Sequence, residues 1–273
     1  MSENQLSLYG RYEFLIRRIH SLCGLIPVGA YMVIHLATNA SILNGVETFQ
    51  NLVYQIHSLG KILWIVEWGF IFLPLLFHGL FGVVIIFGGK SNISNYPTTS
   101  NLRYTLQRAS GMVALLFIFY HVFHMHGWFH FEFWKNLAHG MGMAQFSPYN
   151  AASTAANALQ SSFLVPVLYF IGILACVYHF ANGIWTMGIT WGVWTSPKAQ
   201  NRASILCAGL GVFVMAIATS ALVGFCTLDE ETAREREQEM YMERVKDGSV
   251  TPNLEKLSEE TRNQVEKETA GRR

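Results

Sequence analysis

Long apolar stretches alternate with short polar ones over most of this chain, and five of them reach the roughly 20 residues that a helix needs to cross about 30 Å of hydrocarbon. They run from Ile19 to Ser41, Ile62 to Gly88, Tyr104 to Trp128, Phe163 to Thr190 and Ala203 to Thr227. Each is predicted to be a helix, because a backbone facing lipid must satisfy its own N–H and C=O groups. The alternation expected of barrel strands is absent. Pro97 and the Asn, Ser and Thr residues around it mark a loop between the second and third spans, and Phe129 to Ser162 is the longest connection. From Asp229 onward the apolar pattern stops: Glu230 to Lys246 predicts a solvated helix, and Thr251-Pro252 reads as an N-cap followed by Pro at the first helical position. The chain thus divides into a segment 1–18, a five-helix membrane domain 19–228 and a charged polar tail 229–273.

Composition sharpens this division. Of the 273 residues 51% are hydrophobic and 14% charged, against about 25% charged in an ordinary soluble domain. The formal net charge of +1 hides two opposite regions: ten Lys/Arg against five Asp/Glu up to Leu228, then nine against thirteen from Asp229. No basic face exists to neutralise phosphates, so nucleic acid is excluded as a partner, and a globular soluble enzyme is excluded by the five spans. Cys23, Cys176, Cys207 and Cys226 lie singly inside apolar runs, without the spacing of a zinc site, an iron–sulfur run or covalent haem attachment. The first span follows Arg17 and Arg18 as a signal peptide would, but its apolar core is too long for one. Arg11, Arg17, Arg18, Lys90, Arg103, Arg108, Lys198 and Arg202 fall on one side of the five spans, and Lys61 and Lys135 on the other. That excess predicts a cytoplasmic N-terminus and, after five crossings, a C-terminus outside.

Ionisable side chains inside a membrane are costly and usually functional. Four of the ten histidines, His35, His78, His121 and His179, lie well inside four different spans. Counted from the cytoplasmic helix ends at ~1.5 Å per residue, His35 lies ~24 Å in and His121 ~26 Å, whereas His78 lies ~15 Å and His179 ~17 Å in. The four therefore form two layers, each with one imidazole on each of two helices. Two imidazoles facing one another at one depth are what a six-coordinate haem needs, and such an iron has no vacant position, so its task is electron transfer. The expected architecture is all-α, with the first four helices bundled around two stacked haems. Gly24, Gly82, Gly172 and Gly183 lie near whole helical turns from a ligand candidate, where missing side chains would admit a flat porphyrin. His124, three residues after His121, competes for the outer layer but lies ~4.5 Å further out. With His126 and His130 it forms a histidine cluster at the outer surface.

Four ordered stretches carry a resemblance: RRIHSLCGLIPVGAYMVIHL from Arg17, IFLPLLFHGLFG from Ile71, LQRASGMVALLFIFYHVFH from Leu106 and YHFANGIWTMGITWGVWTSPKAQ from Tyr178. Over about Arg11 to Phe225 the chain resembles the single-chain, five-helix, two-haem cytochrome b anchor of bacterial succinate dehydrogenases and fumarate reductases. The resemblance implies two haems b, with His78 and His179 holding the inner and His35 and His121 the outer. It also implies a cytoplasmic flavoprotein subunit carrying FAD, an iron–sulfur subunit on the inner face, and a membrane quinone, often menaquinone, as substrate, in the bacterial cytoplasmic membrane.

Haem propionates need donors, and Ser21, His20, Arg108, Arg17 and Arg18 stand near the inner level. Glu67, eleven residues outward of His78, is the only carboxylate within a span; with Trp64 and Trp68 beside it, it is the candidate quinone contact. Some relatives carry a Glu two residues before the fourth ligand, implicated in proton movement, where this chain has Val177. Two rivals remain in view: a bis-His cytochrome b of a hydrogenase or formate dehydrogenase, and a transporter with buried histidines. The four ordered motifs speak against the first. The second predicts broken helices, yet Pro27 and Pro74 are the only prolines well inside the first three spans.

Overall fold

The computed structural model describes residues 8–90, 92–129 and 131–270; of residues 8, 9 and 266–270 the backbone alone is described. His130 of the expected outer histidine cluster, residues 1–7 of the N-terminal segment and residues 271–273 of the tail lie outside the described residues.

Among the described residues the chain is all helical, and five helical stretches are long and apolar enough to span a membrane: Gly10–Asn44, Lys61–Phe87, Thr99–Met125, Leu164–Thr190 and Pro197–Cys226. The protein is an all-α integral membrane protein. The first stretch begins earlier than its apolar core, because α1 (Leu8–Cys23) already includes the polar turns around Arg11 and Arg17. It passes through a π turn, Gly24–Gly29, into α2 (Ala30–Ala40) and ends in a 3-10 turn, Ser41–Asn44. Pro27 sits inside that π turn; lacking an N–H, it cannot complete an α-helical ladder, and the wider turn absorbs the mismatch. A second π turn, Glu67–Phe72, joins α4 (Lys61–Val66) to α5 (Leu73–Phe87), and the two π turns pack against each other. Between these spans lies α3 (Val46–His57). The third span, α6 (Thr99–Met125), stops short of Trp128 because Gly127 (φ 79°) and Trp128 (φ 69°) both leave helical space.

The remaining helices are α7 (Glu132–Gly140), α8 (Ala151–Gln160), α9 (Leu164–Thr190), α10 (Pro197–Cys226), α11 (Glu230–Lys246) and α12 (Glu259–Ala270). The chain packs as two compact units. The first comprises Met1–Ile34, Trp64–Leu115 and Ala175–Val214; the second comprises His35–Leu63, Leu116–Leu174 and Met215–Arg273.

The first unit is made of span segments whose large apolar side chains mostly face outward, as at Phe14, Phe70 and Leu206; a lipid-facing surface needs no polar cover. The second unit has two ordinary buried cores. One gathers Ile42, Phe49, Val53, Leu159, Tyr169, Leu222 and Phe225 around alanines of α8. The other joins Tyr54 and Tyr149 to Met240, Tyr241, Val250 and Leu257 of the tail. Here the outcome differs from a solvated tail: α11 buries Ala233, Glu237, Met240 and Tyr241. The reason is a buried cap. Glu237, fully inaccessible, accepts from Ala152 N (2.5 Å) and from Ser153 Oγ (2.5 Å), satisfying the first turn of α8. Gln50 bridges the same turn from α3, donating to Pro148 O (2.8 Å) and accepting from Ala151 N (2.9 Å). Thr251 and Pro252 do not open a helix; Asn253 caps a single 3-10 turn, Leu254–Lys256, by accepting from Glu255 N.

Candidate functional site

In the first unit α5 carries His78 and α9 carries His179. Their ring centroids lie 6.0 Å apart with the planes at 80°. A metal–imidazole bond is about 2 Å long, so two rings gripping one ion from opposite sides would stand with centroids about 6 Å apart. Each ring is oriented through its other nitrogen. His78 Nδ1 lies 2.9 Å from His20 O, and His179 Nδ1 lies 3.0 Å from Gln107 O. A carbonyl only accepts, so a proton on each Nδ1 satisfies these contacts and leaves each Nε2 a lone pair, the tautomer in which histidine binds metal; His179 Nδ1 also lies 3.2 Å from the Gln107 amide nitrogen. Neighbouring helices are stripped to glycine where the rings lie. A Cβ on Gly111 would come within 2.7 Å of His179 Cε1, and one on Gly24 would collide with His78 Cε1.

The five expected donors all belong to the first unit. Arg18 Nη1, His20 Nδ1 and Arg108 Nε are buried and have no hydrogen-bond partner among the described residues. Leaving three donors unsatisfied is costly, and an anionic group with several oxygens is what such a set would accept. His20 stacks flat on His78, centroids 4.2 Å apart. Arg108 Nη2 is held by Ile85 O (2.6 Å) and Ile86 O (2.8 Å). Ser21 Oγ accepts from Trp191 Nε1 (3.0 Å), and the Arg18 guanidinium lies over that same indole. Arg17 is placed differently: it pairs with Glu13 at 2.7 Å on the exposed side of α1.

In the second unit the rings of His35 and His121 lie 5.7 Å apart at 68°. Their supports are side chains. Tyr169 OH is 3.3 Å from His121 Nδ1 and 2.9 Å from His124 Nδ1. Asn39 Nδ2 is 3.1 Å from His35 Nε2. His124 is buried and stacks on Tyr120, centroids 5.2 Å apart. The hydroxyl therefore orients both histidines of α6, while the ring facing His35 is His121. Neither Asn39 nor Tyr169 was singled out from the sequence. Asn39 carried a usable signal, an amide one turn after a ligand candidate in an apolar helix; Tyr169 carried none, because its contact crosses from α9 to α6.

Among the described residues no three His, Cys, Asp or Glu converge as a cage for a bare ion. Paired imidazoles without a third protein ligand suit a group that brings its own equatorial donors. The donor set, the glycine cradles and the orphaned cationic donors together fit haem.

Glu67 stands half-buried at the start of the second π turn, within electrostatic reach of Tyr31. Trp68 packs on Phe72 at 5.3 Å, and Trp64 is 65% exposed on the helix surface, as a belt residue would be. All three belong to the first unit. A separate cavity of about 460 Å³ in this unit is lined by Ile184, Trp194, Arg202, Ala203, Cys207 and Leu210.

No family model matches the sequence. The chain is 31% identical over 216 residues, 79% of its own length and 98% of the relative's, to the succinate dehydrogenase cytochrome b558 subunit of Bacillus subtilis (strain 168).

Proposed function

Because the chain belongs to the family of succinate dehydrogenase cytochrome b558 subunits, we propose that it anchors such a complex in the membrane and passes electrons between an iron–sulfur partner and quinone through two haems b. The observation that carries this reading is the pair of facing imidazoles in each unit: His78 with His179, and His35 with His121. His78 with His179 and His35 with His121 would hold haem iron, which would supply a one-electron couple. Everything else is the work of this chain's residues. His20 O and Gln107 O address Nδ1 of the inner pair and leave Nε2 for the iron; Tyr169 OH, 3.3 Å from His121 Nδ1, orients that ring. Arg18, His20 and Arg108 offer buried donors to propionates, with Ser21 completing that edge. Arg17, paired with Glu13, takes no part.

On this reading the N-terminus is cytoplasmic, following the excess of Lys and Arg at that level. The flavoprotein with FAD and the iron–sulfur subunit dock there, and the dicarboxylate chemistry stays with them. Quinone, with menaquinone the expected type, exchanges protons as well as electrons; Glu67 is the in-span carboxylate able to hold or move such a proton, with Trp64 and Trp68 beside it. The test is spectral. Membranes holding the assembled complex should show b-type bands on adding succinate, with two haems per chain by pyridine haemochrome. His78→Ala and His179→Ala should remove one component, and His35→Ala and His121→Ala the other. A colourless protein would end the proposal, and bands that succinate does not reduce would move it to another quinone-linked complex.

A further inference from the structure

Behind His179 runs a chain of polar groups that the electron-transfer reading does not itself require. Arg103 Nε donates to Asn182 Oδ1 (2.8 Å) and Arg103 Nη1 to Ser204 Oγ on α10 (2.8 Å). Asn182 Nδ2 donates to Gln107 Oε1 (2.6 Å), and Gln107 Nε2 donates to His179 O (3.0 Å). His179 Nδ1 closes the loop by donating to Gln107 O (3.0 Å). The guanidinium also lies flat over Trp185, 3.7 Å from the ring centroid. Asn182 is 4% exposed, so water does not compete at the two bonds its amide makes with Arg103 and Gln107.

The direction of this chain is set at one end. Arginine has five donors and no acceptor, so Asn182 must turn its oxygen toward Arg103 and its nitrogen toward Gln107. Gln107 in turn must present its oxygen to Asn182 and its nitrogen to His179 O. Reversing either amide would set two donors or two acceptors face to face in a buried site, a cost of about 1–3 kcal/mol. Arg103 also brings a permanent positive charge into surroundings of low dielectric, where charges act over longer range than in water.

Resting on the inner-haem reading, we propose that Arg103, Asn182 and Gln107 are positioning residues that lock the His179 ring and raise the reduction potential of the iron it binds. Locking follows from the one-way bonds: they fix the Gln107 amide nitrogen 3.2 Å from His179 Nδ1 and 3.0 Å from His179 O, against the edge of the ring. The rise in potential follows from charge, because a nearby cation favours the reduced, less positive iron. The other first-unit ligand, His78, addresses His20 O, so the Gln107 amide at the end of this chain meets the His179 ring.

The test is a redox titration of the assembled complex in membranes, followed by optical and low-spin ferric EPR spectra, for Arg103→Gln, Arg103→Lys and Asn182→Leu. Arg103→Gln should keep two haems and shift the reduction equilibrium of the inner component at least tenfold toward the oxidised form, ~59 mV for one electron. The outer component should not move. Arg103→Lys, which keeps the charge without the planar fork, should recover part of the potential. Asn182→Leu should alter the inner EPR signal by releasing the ring. An inner potential unchanged in Arg103→Gln with both haems present would overturn the proposal, as would equal shifts of both components. If Arg103→Gln loses the inner haem, Asn182→Leu decides: an inner EPR signal unchanged there overturns the proposal. A wild-type complex without paired-imidazole haem would instead remove the reading beneath it.

Discussion

The two histidine pairs have nearly the same ring geometry and opposite kinds of support. In the first unit the paired histidines, His78 and His179, address backbone carbonyls, His20 O and Gln107 O. In the second, His121 and His124 share one tyrosine hydroxyl and His35 meets an amide. A carbonyl belongs to the helix and cannot be removed by changing a side chain, whereas a hydroxyl can be deleted singly. The carbonyl bonds of the first pair therefore yield only to changes in helix packing, whereas the hydroxyl bonds of the second yield to one substitution.

Filling a cradle should give the largest effect. Gly111→Val or Gly24→Val places methyls where the imidazoles lie, and should abolish the inner component, taking haem from two per chain to one while the outer remains. Survival of both components in either variant would break the comparison from the first-unit side. Removing the tail's buried cap comes next. Glu237→Leu leaves the N–H groups of Ala152 and Ser153 unpaired, at a cost of about 2–4 kcal/mol; hydrogen exchange on α8 and α11 should accelerate, while spectra of the first-unit pair hold.

The same carboxyl makes docking of the tail depend on pH. Burial pushes Glu237 up from 4.5 to about 7, against the lowering pull of Ser153 and the α8 N–H groups. The docked state thus favours the protonated acid. Its contribution is complete below pH 4.5 and drains away as pH rises through about 7, about 3 kcal/mol in all. Exchange at α11 should be faster at pH 7.5 than at pH 5, and Glu237→Gln should flatten that difference; the opposite slope would contradict the assignment.

Smaller again is Tyr169→Phe, which removes the shared hydroxyl at a cost of about 1 kcal/mol. The outer component should persist with a shifted potential and EPR signal, and the inner should be silent. An unaltered outer spectrum would mean that the hydroxyl does not orient His121. Smallest is Arg236→Ala, which breaks an exposed pair with Glu47; surface pairs contribute little, and tail exchange should be unchanged.

The spans were legible because the requirement is crude: about 20 apolar residues and no strand alternative. The four in-span histidines were legible because polar groups are rare there, and depth arithmetic brought His35 toward His121 and His78 toward His179, as the ring contacts do. The spacing of Gly24 from His35 points to a cradle on its own helix, yet Gly24 meets His78 across helices; Gly111, the matching cradle for His179, has no spacing to reveal it. Arg17 was grouped with Arg18 because neighbours share a level, yet successive helical residues point about 100° apart, and Arg17 turns to Glu13.

The tail shows the limit most sharply. Its composition, rich in Glu and Arg, describes a helix content with water, and a carboxylate in that setting gives no sign that it will be buried. Sequence by itself determined which segments must leave water and which ionisable groups go with them, because transfer into hydrocarbon is charged to each residue separately. Tertiary structure decided which carbonyl meets each imidazole, which glycine makes room for it and where Glu237 goes. Every peptide carbonyl is chemically alike, and the first turn of every helix offers the same N–H groups, so only packing across the chain can choose among them.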